Sequence, residues 1–369
     1  MGRAIVDASE IGVEPFVKPV SVTAAIAAQQ CKLAALLDVS PDMRVLKLQS
    51  LQAALGEVFH RMILRTQWSA NIQRRGEEVQ FYWDEQISIA RLKLDDQARL
   101  RTVPSPHRWP GYEQVRLRAV NDVLARKIVE NSVAKLPFSA HHEVELHTEF
   151  LSGRLDRVSG TGDDIVIMEY KSRSSPPSDV KQRHLLQLQA YMYLWFVTHE
   201  TLPKRGELRY ANEEPIEVSL SSSDLVKVGV RLEAAAKELA RLSRSVNDSE
   251  LDSLAVVSLN NCRFCSFRLV CRKFLNESFS VHEWPTWSVY GEVQEVTLSS
   301  DRACIRMGVI RGNVPSGTYS VLVESSVAEE VVVGEFLSIN GLTGAVEAKT
   351  LYSNHSTVAC RGVDKWLGP

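Results

Sequence analysis

Glu169 and Lys171 stand two apart in the run Val166-Ile167-Met168-Glu169-Tyr170-Lys171. On a strand, residues at that spacing share one face. Upstream lies Gly153-Arg154-Leu155-Asp156, then a turn-rich stretch with Gly160 and Gly162. The spacing predicts a β-hairpin, with a first strand over 150–158, a turn over Ser159–Asp164 and a second strand over Ile165–Lys171. Folding it about the turn brings Asp156 opposite the Glu169 end of the second strand. Two carboxylates and an ammonium would then converge at the rim of a sheet. Close carboxylates repel unless a cation sits between them, and oxygen ligands of this kind suit magnesium or manganese. Taken alone, the same residues also fit a salt-bridged surface hairpin.

A second concentration of chemistry is Cys262-x2-Cys265-x5-Cys271. Thiolates select zinc or iron–sulfur, and four complete either site. The fourth ligand must come from afar: Cys31, Cys304, Cys360 or a histidine such as His282. The clustering is unlike a disulfide framework and points to metal or cluster binding. Between Ser253 and Asn276 stand Arg263, Arg268, Arg272 and Lys273 and no acidic residue, so this loop is a candidate for phosphate contact. Cys31 by itself reads as a small buried apolar residue. His60 follows Gly56 by one helical turn; by itself it reads as a hydrogen-bonded or exposed histidine. Gln187 and Tyr191 are four apart and face the same way on a helix.

These residues need elements to hold them. Residues 1–19 read as an irregular lead-in. Helices are expected over Ala24–Leu37 (holding Cys31), Val45–Arg65 (holding His60) and Asp179–His199 (holding Gln187 and Tyr191). Val79–Trp83 reads as a strand. Helices follow over Glu85–Leu100 and Tyr112–Val133, separated by Pro104, Pro106 and Pro110. Arg116, Arg118, Arg126 and Lys127 give the latter a basic side, read as a solvated face. A strand over 143–147 leads into the hairpin. A second hairpin is expected from 207–210 and 216–219, then a long helix from Ser222 to Arg244 with an apolar stripe.

From Trp284 onward the texture is β-rich, with runs over 288–297, 303–310, 318–324, 331–339, 345–352 and 357–360, and a turn at Asn340-Gly341. That is the pattern of a small barrel or sandwich. With 369 residues, 44% hydrophobic and 24% charged, the chain has ordinary globular composition. No run reaches a membrane span and no signal-peptide core opens the sequence, so a cytoplasmic protein is expected. The formal net charge is −2. Residues 277–369 carry 11 acidic and 6 basic side chains, a balance of −5, which leaves +3 for residues 1–276. That acidity argues against a non-specific DNA grip by the tail, and favours protein contact or buttressing.

Taken in order, Gly56-x3-His60, Gly153-x2-Asp156, Glu169-Tyr170-Lys171, Gln187-x3-Tyr191 and Cys31 with Cys262-x2-Cys265-x5-Cys271 resemble the iron–sulfur-bearing, RecB-like branch of the PD-(D/E)XK nucleases. That branch includes the CRISPR adaptation exonucleases, the AddB subunit of bacterial end-resection complexes and the nuclease domain of the eukaryotic flap-processing helicase-nuclease. The resemblance covers residues 20–276. It implies an α/β fold, with a restriction-endonuclease-like core whose mixed central sheet is flanked by helices (residues 1–276); the small all-β, barrel-like domain (residues 277–369), OB-like in pattern, lies beyond the resemblance and is expected from its strand pattern alone. The resemblance further implies that His60, Asp156, Glu169 and the Tyr170 carbonyl hold Mg2+ or Mn2+. Lys171 would stabilise developing negative charge or help orient the nucleophile, and Gln187 and Tyr191 would position the strand or the active-site loop. Cys31, Cys262, Cys265 and Cys271 would carry a structural [4Fe-4S] cluster.

The implied activity is hydrolysis of DNA phosphodiester bonds, at ends or single strands; the charge balance of the C-terminal domain separately leaves room for a protein partner there, and no membrane is expected. A non-catalytic DNA-end-binding or assembly subunit of a repair, CRISPR adaptation or defence complex is the alternative, and a zinc-bearing nucleic-acid-binding module the third reading. Segment 66–135 matches no family motif. No Gly-x4-Gly-Lys-Ser/Thr loop marks a helicase.

Overall fold

A computed structural model describes residues 4–9, 13, 19–65, 68–69, 71–124, 141–172, 177–210, 214–245, 250–263, 265–277, 284–299 and 301–367. The expected helix beyond Leu124, with Arg126 and Lys127, lies outside the described residues, as does His282.

The lead-in is not wholly irregular: β1 (Ile5–Asp7) pairs in parallel with a strand near the C-terminus. After β2 (Val20–Ser21), Ser21 caps α1 (Val22–Ala28), its Oγ accepting from the Ala24 amide at 3.1 Å. The single helix expected over 24–37 is instead two, α1 and α2 (Lys32–Val39). Cys31 sits in the break with extended backbone. The Gln30 carbonyl at the break accepts from Asn261 Nδ2 at 3.1 Å, which compensates for the interrupted ladder. The helix carrying His60 starts later than expected. Asp42–Leu46 is a 3-10 turn, and α3 (Leu51–Leu64) begins after the Ser50 cap.

The strand expected at 79–83 is wrong. Those residues lie inside α4 (Ile72–Asp95). Val79, Trp83, Ile87, Ala90 and Leu94 are buried at helical spacing, and that period outweighs the local β-propensity of Val-Gln-Phe-Tyr-Trp. α5 (Tyr112–Leu124) completes a three-helix lobe whose own apolar cluster contains Phe59, Trp83, Trp109 and Tyr112. The Trp83 indole donates to the Tyr112 hydroxyl at 3.1 Å, so its buried N–H is satisfied.

The central sheet contains β2, β3 (His141–His147), β4 (Leu151–Ser159), β5 (Val166–Lys171), β6 (Arg205–Tyr210) and β7 (Ile216–Val218). β5 and β6 run parallel, joined by the crossover helix α6 (Ser178–His199). α7 (Ser222–Ser245) follows β7 and packs on α6 and α1. β4 is shared along one edge. Its first residues, Leu151 and Ser152, pair with β2, and its last three pair with β5. Between those ends β4 and β5 part.

The C-terminal strands are β8 (Trp287–Leu298), β9 (Arg302–Gly312), β10 (Gly317–Glu324), β11 (Phe336–Ala345), β12 (Thr350–Tyr352) and β13 (Val358–Arg361). The order β8-β9-β10-β12-β11 closes on itself through β11–β8, giving a five-stranded barrel, with β13 and β1 added beside β11. Asn340-Gly341 is not a turn. It lies within β11, where the register to β8 slips between Asn340 and Leu342. Gly341 has φ +88, and a Cβ there would fall 2.7 Å from the Ser356 carbonyl oxygen, so the bulge needs glycine. The β-run expected over 331–339 likewise starts only at Phe336.

One apolar cluster runs from Val20 and Leu155 through Leu269 and Phe274 into Val289 and Tyr319 of the barrel. Buried Arg99 bolts the helical lobe to the same barrel. It donates to the carbonyls of Leu94, Gln49 and His355 and to Gln97 Oε1. Among the described residues, no helix is long and apolar enough to cross a membrane.

Candidate active site

The parting of β4 and β5 makes the site. Their ladder stops at Arg157 and Met168. One step further, Asp156 Oδ2 takes the Tyr170 amide at 2.8 Å in place of a strand partner. The carboxylate is thereby fixed at the fork by a charge-assisted hydrogen bond. Its other oxygen lies 3.2 Å from His60 Nδ1, and His60 Nε2 lies 3.0 Å from the Tyr170 carbonyl oxygen. α3 thus delivers His60 onto the backbone of β5. It can do so because Gly56, one turn earlier, faces Ser172 at close range: a Cβ there would meet the Ser172 hydroxyl oxygen at 3.2 Å.

Glu169 and Lys171 share a face of β5, with Nζ 2.6 Å from Oε1. Lys171 also donates to Gln187 Oε1 at 2.9 Å, and Gln187 Nε2 donates to the Tyr191 hydroxyl at 2.8 Å. This chain runs along one face of α6, as the i, i+4 spacing requires. Gly153 lets α6 come this close. A Cβ there would sit 2.7 Å from the Tyr191 ring and 2.9 Å from Leu194.

The electrostatics follow from burial and proximity. Glu169 is 3% exposed. Burial, with the Asp156 carboxylate nearby, pushes its pKa up to about 7 against the pull of Lys171. Burial acts the same way on Asp156, but the His60 imidazole and the Tyr170 amide hold its carboxyl below the usual range. Burial disfavours the His60 imidazolium, yet the bond to Asp156 raises its pKa. Burial also raises the Tyr191 hydroxyl.

A family model for the PD-(D/E)XK nuclease superfamily matches residues 19–272, from the entrance to the central sheet to just past Cys271. The chain belongs to the PD-(D/E)XK nuclease superfamily. No curated protein matches it. Among solved structures, the crystal structure of SSO0001 is similar at 20% identity, with 36% of this chain and 59% of that chain covered and a TM-score of 0.21. The match therefore spans less than two thirds of that protein, and so loose a likeness says nothing of activity.

As a PD-(D/E)XK protein, the chain is expected to bind a divalent cation. The donor set fits one: two carboxylates and a backbone carbonyl supply hard oxygens. Glu169 Oε2 is buried and meets no hydrogen-bond partner among the described residues, an orphan acceptor that a cation would satisfy. Among those residues, no three His, Cys, Asp or Glu side chains already surround one point; His60 leans on Tyr170 and Asp156 instead.

Cys31, Cys262, Cys265 and Cys271 line one small cavity, while Cys304 and Cys360 lie elsewhere, in the barrel. All six are unbridged. Burial pushes the Cys265 and Cys271 thiols up to about 12 and raises Cys262, so thiolates here call for a cation. The soft donor set suits zinc or iron–sulfur.

Of the loop's four basic residues, Arg268 and Arg272 are engaged within the fold rather than turned to a phosphate-binding face. Arg268 is 3% exposed, Arg272 pairs with Asp252 at 2.5 Å, and Lys273 donates to the Ala255 carbonyl; Arg263 and Lys273 remain exposed. Arg118, expected on a solvated face, packs its guanidinium 5.2 Å from the Phe59 ring, beside His60. No motif marks it, because its place depends on how α5 docks against α3.

Proposed function

We propose that this chain is a metal-dependent deoxyribonuclease of the RecB-like branch, acting as an exonuclease on DNA ends or single strands, with a structural [4Fe-4S] cluster. The observation that carries the reading is the convergence of His60, Asp156, Glu169, Lys171 and the Tyr170 carbonyl where β4 and β5 part. His60, Asp156, Glu169 and that carbonyl would hold Mg2+ or Mn2+. The ion supplies Lewis acidity at the scissile phosphate and a bound water of lowered pKa. Asp156 is held in place by the Tyr170 amide and stays ionised. Lys171, placed by Glu169 and Gln187, offers its ammonium to charge developing on the phosphate oxygens. Tyr191 holds Gln187 in register with Lys171.

Cys31 belongs to the start of the nuclease fold and Cys262, Cys265 and Cys271 to its end. A cluster bonded to all four would tie those ends together. The reading places the protein in the cytoplasm, in a repair or defence setting. The barrel's strand order, with β10 and β12 parallel, supports an OB-like assignment. Its acidic balance favours a protein partner there over DNA.

A non-catalytic end-binding subunit would not need Asp156, Glu169 and Lys171 together. The test is cleavage of end-labelled single-stranded and duplex DNA with Mg2+, Mn2+ or chelator, alongside iron, sulfide and zinc analysis. Metal-dependent shortening from ends is expected. Tight DNA binding without cleavage in either metal would replace this reading with the subunit one.

A further inference from the structure

We propose that Arg268 is the charge partner of the group held by Cys31, Cys262, Cys265 and Cys271, and that it sets how firmly that group is retained and how readily it is reduced. This rests on the iron–sulfur reading above and goes beyond its ligands.

Arg268 is 3% exposed. Its Nη2 donates to Thr286 Oγ1 at 2.7 Å. Its Nε and Nη1 are buried and meet no partner among the described residues, and no carboxylate there forms an ion pair with it. From Ser253 to Asn276 the sequence holds no acidic residue; at its two edges Asp252 is taken by Arg272, and Glu277 is exposed and forms no ion pair with Arg268 among the described residues. A buried guanidinium with idle donors is costly unless an anion answers it.

The side chain lines the same cavity as the four cysteines. Four neutral thiols would leave the charge unanswered. Four thiolates on an iron–sulfur core carry net negative charge and accept hydrogen bonds at sulfur, which tune such a centre. The guanidinium is also held in place, 5.5 Å from the Phe274 ring centre and 5.9 Å from that of Trp284.

The same contacts bind the cysteine loop to the barrel. Ser338 Oγ donates to the Leu269 carbonyl at 2.7 Å, and Asn340 Nδ2 lies 3.4 Å from the Cys265 carbonyl oxygen. Among the described residues, Thr286, at the start of the barrel, is the acceptor that holds the Arg268 side chain. The barrel therefore helps to hold the guanidinium beside the cysteine-lined cavity.

The full-length wild-type protein, Arg268→Met and Thr286→Val are purified anaerobically. Iron and acid-labile sulfide, the rate of visible bleaching under a chelator, and the midpoint potential are measured, with circular dichroism as the check on folding. Arg268→Met should lose its colour about tenfold faster, with a potential shifted to more negative values, because removing a nearby positive charge disfavours the added electron. Thr286→Val should shift both in the same direction by less. If Arg268→Met does not fold, Arg268→Gln replaces it. A folded charge-removed variant with wild-type bleaching and potential overturns the proposal while leaving the cluster reading intact. Wild-type protein carrying zinc and no iron overturns both.

Discussion

His60 Nε2 stands 3.0 Å from the carbonyl oxygen of Tyr170, a residue 110 positions away. The contact joins the helical lobe to the strand that carries Glu169 and Lys171. The imidazole is thereby presented to the same few ångströms as the Asp156 carboxylate, 3.2 Å from Nδ1. His60→Ala is expected to lower cleavage about 10–100-fold at limiting metal, with partial recovery as metal is raised. Calorimetric titration of Mn2+ checks it, and unchanged metal affinity would remove His60 from the ligand set.

Lys171→Ala removes the ammonium that bridges Glu169 and Gln187. Cleavage should fall by roughly 10²–10³ or more while circular dichroism stays that of the wild type. Retained cleavage by the purified variant would sink the catalytic assignment.

Gly153→Ala brings a methyl group to 2.7 Å from the Tyr191 ring. The ring must move, and with it the hydrogen bonds that run through Gln187 to Lys171. We expect a fall in kcat of about tenfold or more, since small misplacements at a reacting centre are costly, together with a lower Tm. An unchanged kcat would show that the chain does not position Lys171.

Arg99→Met leaves three backbone carbonyls and the Gln97 side chain without their buried donor. Unfolding free energy should drop by about 3 kcal/mol or more. Urea denaturation measures it; a loss under about 1 kcal/mol would mean water replaces the guanidinium.

Glu207 is 3% exposed and lies between Arg205 and Arg209, 2.9 and 2.5 Å away. Burial alone would raise its pKa, but the two guanidinium partners hold it below the usual carboxylate range. A group depressed on folding contributes stability above its unfolded pKa and loses it as pH falls through the folded one. The wild type should therefore lose this contribution below the ordinary carboxylate range, and Glu207→Gln should flatten that part of the curve. Parallel acid limbs for the two proteins, measured by Tm against pH, would rule the pair out as a source of acid sensitivity.

The hairpin was legible because its signal is local: a glycine-rich turn, an apolar run, and Glu169 and Lys171 in period two. Gln187 and Tyr191 were legible for the same reason, at period four on α6. Val79–Trp83 misled because five β-prone residues outweighed, over a short window, a helical period that shows only across Val79 to Leu94. No proline or glycine marks the break at Cys31 before α2, so the sequence there reads as one continuous helix. Asn340-Gly341 carries the composition of a turn, and only the Ser356 backbone beside it makes it a bulge.

The sequence by itself determined which side chains could do the chemistry and the local spacing that puts Glu169 with Lys171 and Gln187 with Tyr191. Tertiary structure alone decided that β4 and β5 part at Asp156, that α3 lays His60 on Tyr170, and that Arg268 is buried beside four cysteines. The first two contacts join residues 14 and 110 apart. They depend on how helices dock and where a ladder ends, and no local period encodes that.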